Sequence, residues 1–468
     1  MKKLFLTLLF LSTTSLFFAQ SNVSVVSSTG NSNAVTVDQT GLTNLSDVLQ
    51  LGDNNIADVD QVGDTNDADV DQTGDANTAA LSQTGDNNHG TQAQLGDANN
   101  ASIMQFGDAN SANQNQNGDA NAANASQTGN ANTATTTQVG DDDTGNITQT
   151  GNFNTGAQTQ VGNTNQAYID QMGSLNVAHQ TQTGDGNYAY AWQNGMLNTS
   201  SQFQTGDTND AEVYQGQSFN NASQTQIGDD NYAVAYQNDL SLGGSNISVQ
   251  NQTGDDNIAT VDQGWSYAFQ NVAYQNQVGD NNSAYSYQTG NDNISREIQV
   301  GDRNTSTVNQ DGDDNESGTG VVPTPPATYP AFGQYGNDNT ASTDQTGDRN
   351  YSGIYQEGDR DDGSVMQDGD DNVAAIGSIG DDNHAALTST GNSNVNIVGQ
   401  LGDMNSVDAD QIGDGNFSAA SQDGDSNTVL SLQQGDSNYS VTTQTGMGHS
   451  NTVTQIGNGN YSVVNQAP

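Results

Sequence analysis

Glycine returns every eleven residues along almost the whole chain, and that strict period confines the fold to a stack of like units. The glycines run from Gly30 in steps of eleven to Gly206, stand again at Gly228 and Gly254, resume from Gly279 to Gly312, and continue from Gly336 to Gly457. Thirty-five units hold their glycine; four more without one, near residues 217, 240, 266 and 325, bring the count to 39. Gln stands two residues before the glycine in 32 of the 35, and Asn three residues after it in 32. A small residue, mostly Ala or Ser, follows at the fifth place, and Val, Ile, Leu, Ala or Gln at the seventh. Self-similarity at a short fixed period marks a repeat architecture.

Asn, the small residue, the seventh-place residue and the next Gln lie two residues apart, so they share one face of a strand. Between Gln and the following Asn the spacing is five. A tight turn there reverses the chain and keeps the same residues inward, with Gly supplying the unusual φ and Asp and Asn favouring turns. Each unit is then a strand of about seven residues and a turn of about four. Val59, Leu81, Ile103, Ile147 and Ile169 hold the seventh place in one set of units, Gln92, Gln114, Gln158, Gln180 and Gln202 in the alternate set. The true repeat is therefore 22 residues, two β-arches to a coil. The expected fold is all-β: an amyloid-like parallel β-solenoid of about 19–20 stacked coils, roughly 90–95 Å long at ~4.8 Å per coil.

Stacking places like residues directly above one another. Between residues 72 and 99 the expected structural columns pass through Gln72, Gly74, Asn77, Ala79, Gln83, Gly85, Asn88, Gln94, Gly96 and Asn99. Inward Gln and Asn are expected to donate to the coil above and accept from the one below, because a buried amide without partners costs roughly 1–3 kcal/mol. The core is in effect a steric zipper within one chain. A slip of one residue would turn every inward side chain outward, which is why the period is kept.

Composition excludes the ordinary alternatives. Only 31% of the chain is hydrophobic, mean hydropathy is −0.73 and there is no cysteine, so no greasy core or disulfide framework holds it. The net charge is −49, and past Lys2 and Lys3 the only strong bases are Arg296, Arg303, Arg349 and Arg360. Nucleic acid and anionic membrane surfaces would repel such a polyanion. Residues 1–20 read as a signal peptide, with a basic Lys2-Lys3 start, an apolar run from Leu4 to Leu11 and a cut near Ala19 or Gln20. No later stretch approaches twenty apolar residues, so no membrane insertion is expected. His89, His179, His384 and His449 show no ligand spacing, and acidic pairs occur everywhere. No catalytic, cofactor or metal site is expected, and the chain does not read as an enzyme. Asp follows the glycine in 23 of the 35 registered units. These carboxylates are expected to line both edges as turn formers, repelling at about 0.9 kcal/mol per neighbouring pair in water, which would raise their pKa values. Calcium binding is an alternative role for the rows.

The unit resembles the curlin repeat of curli fibre subunits, Ser-x5-Gln-x-Gly-x-x-Asn-x-Ala-x3-Gln. The run from Gln72 through Gly74, Asn77 and Ala79 to Gln83 matches from the first Gln to the last, and like matches cover about residues 28–466. Asn66 stands where the family has Ser, the repeats are far more numerous than in a typical subunit, and only Ser21 to about Ser28 is available where the family has a polar targeting segment. The resemblance implies a secreted functional amyloid of the biofilm matrix: a homopolymer fibre, exported through a curli-type outer-membrane secretion pore and started by a nucleator at the cell surface. Bulk subunit and nucleator stay open as roles. The rival class is a soluble binding solenoid, an ice-binding protein or adhesin stalk, but the outward positions lack regular Thr rows and no head domain is visible. A disordered acidic matrix polymer is the third reading.

The expected organisation is a signal peptide (1–20), a short segment (21–29), repeats over 30–320 with loops near 238–246 and 263–269, a Pro-rich interruption at 321–333, and repeats again over 334–468. Pro cannot donate to a strand ladder; the interruption is expected to replace one strand, with two residues to spare. Trp192, Tyr214 and Tyr236, spaced by 22, should form an outer stripe beside Tyr188, Tyr190 and Tyr232. The stripe either stiffens the sheet or makes a sticky surface for bundling or sugar contact. Neither end leaves room for a capping helix, so end-to-end addition is the expected activity.

Overall fold

Each unit folds as a seven-residue strand and a four-residue arc: Thr78–Thr84 is a strand, Gly85 to Asn88 turns the chain, and His89–Leu95 is the next strand. The computed structural model of the protein describes residues 21–237, 244–264, 268–318 and 333–468. Over these residues it is a parallel β-solenoid of about 19 turns with two walls and no helix. Alternate strands belong to opposite walls. Thr78–Thr84, on wall two, pairs in parallel with Ile56–Val62 below and Asn100–Phe106 above, each 22 residues away. Asp67–Thr73, on wall one, pairs likewise with Leu45–Leu51 and His89–Leu95.

The arcs do not interrupt the hydrogen bonding. The Gly74 N–H donates to Leu51 O at 2.9 Å and the Ala76 N–H to Asp53 O at 2.9 Å, so the main-chain ladder continues around the corner. That geometry fixes the glycine. Gly74 has φ +120°, and a Cβ built there would lie 2.1 Å from the carbonyl oxygen of Gly96 in the next turn. Two residues on, Ala76 sits in the left-handed region at φ +60°. That place is taken by many residue types, because only its backbone is needed there.

Between the walls lies a thin, dry core. Asn77, Ala79, Leu81 and Gln83 are all buried, while Thr78, Ala80, Ser82 and Thr84 face outward. Small residues at the second strand position let the walls approach: a Cβ added to Gly90 would lie 2.8 Å from Leu81 Cδ1 of the facing wall. The division into an aliphatic and an amide wall holds where Gln92, Gln114, Gln158, Gln180 and Gln202 face Leu81, Ile103 and Ile169. Beyond the interruption it lapses, and Ile354, Ile376 and Val398 of wall one meet Val365, Leu387 and Val407 of wall two.

The signal-peptide expectation (1–20) lies outside the described residues, as do 238–243, 265–267 and 319–332 of the expected loops and the Pro-rich segment. Around the two shorter gaps, Gln224 bonds to Gln250 and Gln250 to Gln275, offsets of 26 and 25 residues, so the columns resume in register. Gly244 still bridges Ser218 and Phe269. The unit count changes at the longest gap. Glu316–Ser317 and Gly333–Tyr335 are two pieces of one wall-one strand, both paired with Tyr351–Glu357. Gln299 bonds to Gln334 and Gln310 to Gln345, each 35 residues on, which is thirteen more than a turn. The interval from Gly312 to Gly336 therefore holds one unit with thirteen extra residues, not two units with two to spare, and the described arcs number accordingly. The physical reason is that Pro cannot donate to a strand ladder, so a Pro-rich stretch is a poor replacement for a strand within it.

Gly74→Ala is expected to destabilise the fold by more than about 3 kcal/mol, through the clash and the backbone strain together. Ala76→Gly relieves a left-handed alanine at some cost in unfolded-state entropy, and should be neutral or stabilising by up to about 1 kcal/mol. Guanidinium unfolding followed by circular dichroism checks both signs.

Candidate functional site

The working element of the molecule is its set of side-chain columns. Gln83 Nε2 donates to Gln105 Oε1 at 2.9 Å and to Asp67 O of the facing wall at 2.9 Å, and Gln83 Oε1 accepts from Gln61 at 2.8 Å. On wall one, Gln72 donates to Gln94 Oε1 at 2.8 Å and to Ile56 O at 3.0 Å, and Gln94 continues to Gln116. Each glutamine thus links successive turns and also ties one wall to the other. Every one of these Gln–Gln bonds points from the earlier turn to the later one, so the columns have a direction.

Asn is expected to do the same. Some asparagines do bond to the Asn of the neighbouring turn, as Asn88 Nδ2 does to Asn66 Oδ1 at 3.1 Å, but the bonds to the main chain are the shorter ones. Asn77 Nδ2 donates to the carbonyl of Gly96 at 2.8 Å, and Asn77 Oδ1 accepts the N–H of Asn99 at 3.0 Å. Asn88 and Asn99 bond in the same way to Gly107 O and Gly118 O. The Asn column therefore runs through the main chain, holding the arcs of Gly74, Gly85 and Gly96 in place. Gln, one methylene longer, reaches the Gln of the next turn as well as a carbonyl of the facing wall; the shorter Asn bonds chiefly to the backbone.

The Asp that follows each glycine has a partner too. Asp75 Oδ1 accepts the N–H of Asp53 at 2.7 Å, and Asp97 Oδ1 accepts that of Asp75 at 2.7 Å. The residue after the glycine carries an N–H that finds its acceptor in this side chain, which is why Asn can stand in, as at Asn130. The expected upward pKa shift from repulsion along the rows is overturned at Asp53. The backbone N–H and then the side chain of Asn31 hold its carboxyl below the usual range.

Trp192, Tyr214 and Tyr236 stand opposite one another on successive wall-two strands. Tyr214 stacks on Tyr236 with ring centroids 5.0 Å apart, and Tyr190 tilts onto Tyr214 at 5.4 Å. A second stack escaped the sequence reading: Phe417, Tyr439 and Tyr461 on wall one, at 4.9 Å per step. Its signal is in the sequence, an aromatic residue four places after Gly413, Gly435 and Gly457.

The units that break the Asn rule were also passed over. The three exceptions are Asp143, Asp361 and His449, all titratable. Asp143 Oδ1 accepts the N–H of Asn165 at 2.9 Å as an Asn would, and Asp361 Oδ1 accepts that of Asn383 at 2.8 Å. The second oxygen of each is buried without a partner. At Asp143 it occupies the place from which Asn121 and Asn165 donate to a glycine carbonyl. At Asp361 it occupies the place from which Asn339 does, although Asn383 on the other side makes no such bond. Only a proton on that oxygen restores the missing bond. Burial pushes each of these carboxyls up to about 6 against the lowering effect of the Asn N–H; Asp141 and Asp185 add to the rise at Asp143, and Asp381 and Asp382 at Asp361. Glu297 is a third case. It ends the inner amide column by accepting from Gln275 at 3.1 Å, its other oxygen is unpartnered, and burial raises it to about 7.

Two parallel walls joined by directional amide columns define a repeat protein of the β-solenoid class. The family model of the curlin associated repeat matches the chain four times, at residues 30–63, 63–91, 336–361 and 358–391. These stretches of the chain carry curlin associated repeats, and among the described residues the units between them keep the same strand, arc and column geometry. No curated protein sequence matches it.

Gln72→Ala leaves a donor on Gln50 and an acceptor on Gln94 buried and unpaired; a loss of about 2–4 kcal/mol is expected in chemical denaturation. Asp143 and Asp361 set a pH dependence whose sign follows from their upward shift. With the folded value near 6 and the unfolded one near 4, the folded state binds the proton more tightly. Stability therefore rises as pH falls through 6, and the gain is complete below about 4. Replacing both by Asn supplies the donors at every pH. The double variant should be more stable at pH 7 by about 2 kcal/mol per site, with a flatter profile between pH 4 and 7; a profile unchanged from the parent refutes the assignment.

Proposed function

We propose that the protein is a secreted structural subunit that assembles end to end into extracellular curli-like amyloid fibres, serving biofilm cohesion and adhesion. The observation that carries this reading is the direction and continuity of the columns. They reach the outermost described strands, with Ser28 donating to Gln50 at one end and Gln444 to Gln466 at the other. Among the described residues, Val23–Thr29 pairs only with Leu45–Leu51, and Tyr461–Gln466 only with Tyr439–Thr445. Each has one free edge, and an open edge templates another strand. The two end faces differ, one presenting column acceptors and the other column donors, so contact between copies is head to tail. A heterologous contact whose rotation does not close yields a filament, not a ring.

The curlin-repeat resemblance supports export through a curli-type pore and initiation by a nucleator. Activity as a bulk subunit needs stoichiometric incorporation, whereas a nucleator acts at trace amounts. The test is to refold residues 21–468 at micromolar concentration and follow fibre growth by electron microscopy and fibre diffraction. Filaments with a meridional spacing of about 4.7–4.8 Å are expected. A double substitution on the exposed edge, Val25→Pro with Val26→Pro, should slow growth at least tenfold while leaving the strand signal of the monomer in place. A parent chain that stays monomeric for days, with no cross-β pattern, overturns the reading.

A further inference from the structure

The outer face of wall one changes character beyond the Pro-rich interruption. Four successive strands there are Val373–Ile379, Val395–Leu401, Phe417–Asp423 and Tyr439–Thr445. Of the sixteen outward positions on them, only Asp423 is charged. The same turns of wall two point Asp362, Asp368, Asp408 and Asp410 outward. Eight earlier wall-one strands, Ser111–Asn117 to Val272–Val278, also point no Asp, Glu, Lys or Arg outward. What sets the panel apart is its run of Val, Ile, Leu, Phe, Tyr and Gly where those strands carry mostly Thr, Ser and Asn, and a contiguous apolar patch of this kind is a candidate interaction site.

The panel has relief. Phe417, Tyr439 and Tyr461 stack into a ridge along one side, at 4.9 Å per step. Gly377 and Gly399 open a trough on the other side, four residues along the strand direction. A Cβ on Gly399 would meet nothing within 4 Å, and the trough is an open cavity of about 290 Å³ bounded by Tyr355, Ile397, Ala419 and Val441.

These turns are also the least well tied from within. Ser378 and Ser389 replace Gln in both columns, each donating to a Gln of the next turn but giving the Gln before it no acceptor amide. The side-chain nitrogens of Asn383, Asn394, Asn405 and Asn416 are buried without the glycine carbonyl that Asn77 and its equivalents reach. Here the inner ladders are at their weakest and the outer face is at its most apolar.

We infer that this panel is a lateral docking surface for the same panel on a second copy of the chain, packed face to face. Shape selects that occupant: ridge and trough belong to one surface, so a two-fold axis between them presents each ridge to the partner's trough. Charge permits it. The Asp rows of the arcs frame the panel and oppose a like-charged copy, but facing sheets sit about 10 Å apart, beyond the Debye length of about 8 Å at 0.15 M salt. Area sets its strength. Seven residues by four strands is about 450 Å² a side, below the roughly 800 Å² per partner of a standard interface. One panel pair is weak, and a row of panels on associated copies holds by multivalency. The surface is distinct from the end faces, but the strength of lateral pairing rests on the end-to-end assembly proposed above.

The test uses the refolded chain 21–468 and a variant carrying Ile397→Asp and Val441→Asp, both outward and away from the columns. A charge-matched control carries Thr135→Asp and Thr137→Asp on the same wall. Side-by-side association is read by electron microscopy and by the cross-section in small-angle scattering. Parent and control should pair at 0.15 M salt and separate at about 0.01 M, where the Debye length reaches about 30 Å; the panel variant should lose pairing at least tenfold at both. Single filaments of the parent would overturn the panel and leave the end-to-end reading intact, whereas paired but short solenoids would do the reverse. Pairing by the panel variant equal to that of the control also overturns the inference. So does pairing that appears only when residues 319–332 are deleted, which would make that segment the occupant.

Discussion

A primary amide has two N–H groups and one carbonyl, and the fold depends on a geometry that uses all three. Gln83 shows the pattern: one N–H goes up to Gln105, the other across to Asp67 O, and the carbonyl takes the N–H of Gln61. Burying an amide is unfavourable until its bonds are made, and a partly satisfied polar network is worse than an apolar core. A stack of identical units satisfies every member except those at its ends. This is how a chain only 31% hydrophobic maintains a dry interior. Specificity comes with it, since an apolar zipper tolerates small shifts whereas an amide column displaced by one residue loses all its bonds at once.

The remaining conserved-looking features of the unit serve that stacking. Glycine lets the arc carbonyls lie under one another, Asn pins each arc to the next, and the two arc N–H groups without a main-chain acceptor are taken by the Asp after glycine and by the Asn side chain. Gly74, Asn77 and Asp75 thus form one device, and removing any part unseats the strand ends that hold the glutamines in line. The acidic rows are a by-product of this backbone requirement, since Asn serves equally at position 130. Their cost is charge along both edges, moderated at Asp53 because the hydrogen bond to Asn31 favours the ionised form.

Most of this was legible in the sequence because the two relevant periods, two within a strand and eleven between arcs, both leave integer traces. Inward faces, strand lengths, the 22-residue coil and the Gln columns follow from spacing alone. What spacing does not encode is reach. Gln and Asn have the same amide, and only the length of the side chain decides whether it meets another side chain or a carbonyl. Asp after glycine reads as a turn former, and its acceptor role appears only once a second turn is stacked on the first. The Pro-rich interval misled for a related reason: 24 residues resemble two units plus two, and only the pairing of Gly301 under Gly336 and Gly312 under Gly347 shows a single split strand. Asp143, Asp361 and His449 were visible as exceptions, but an exception has no physical meaning until the bond it breaks is known.

The placement of the arginines follows from the same logic. Three of the four, Arg303, Arg349 and Arg360, occupy the left-handed place of an arc, and each pairs side-on with the aspartate one turn later, Asp338, Asp371 and Asp382, at 2.7 Å. All lie on turns that adjoin the split strand. Exposed pairs of this kind add little stability individually, so their effect is better sought in register. Along one edge the arcs read Arg303, Asp338, Arg360, Asp382, an alternation of charge that a shift of one turn would convert into like facing like. Across this interval the column partners lie 35 residues apart and not 22, so the repeat length does not by itself set the register there. Alternating charges on the arcs either side of the interval penalise a shift by one turn, and that gives the three arc arginines a role in register in so acidic a chain.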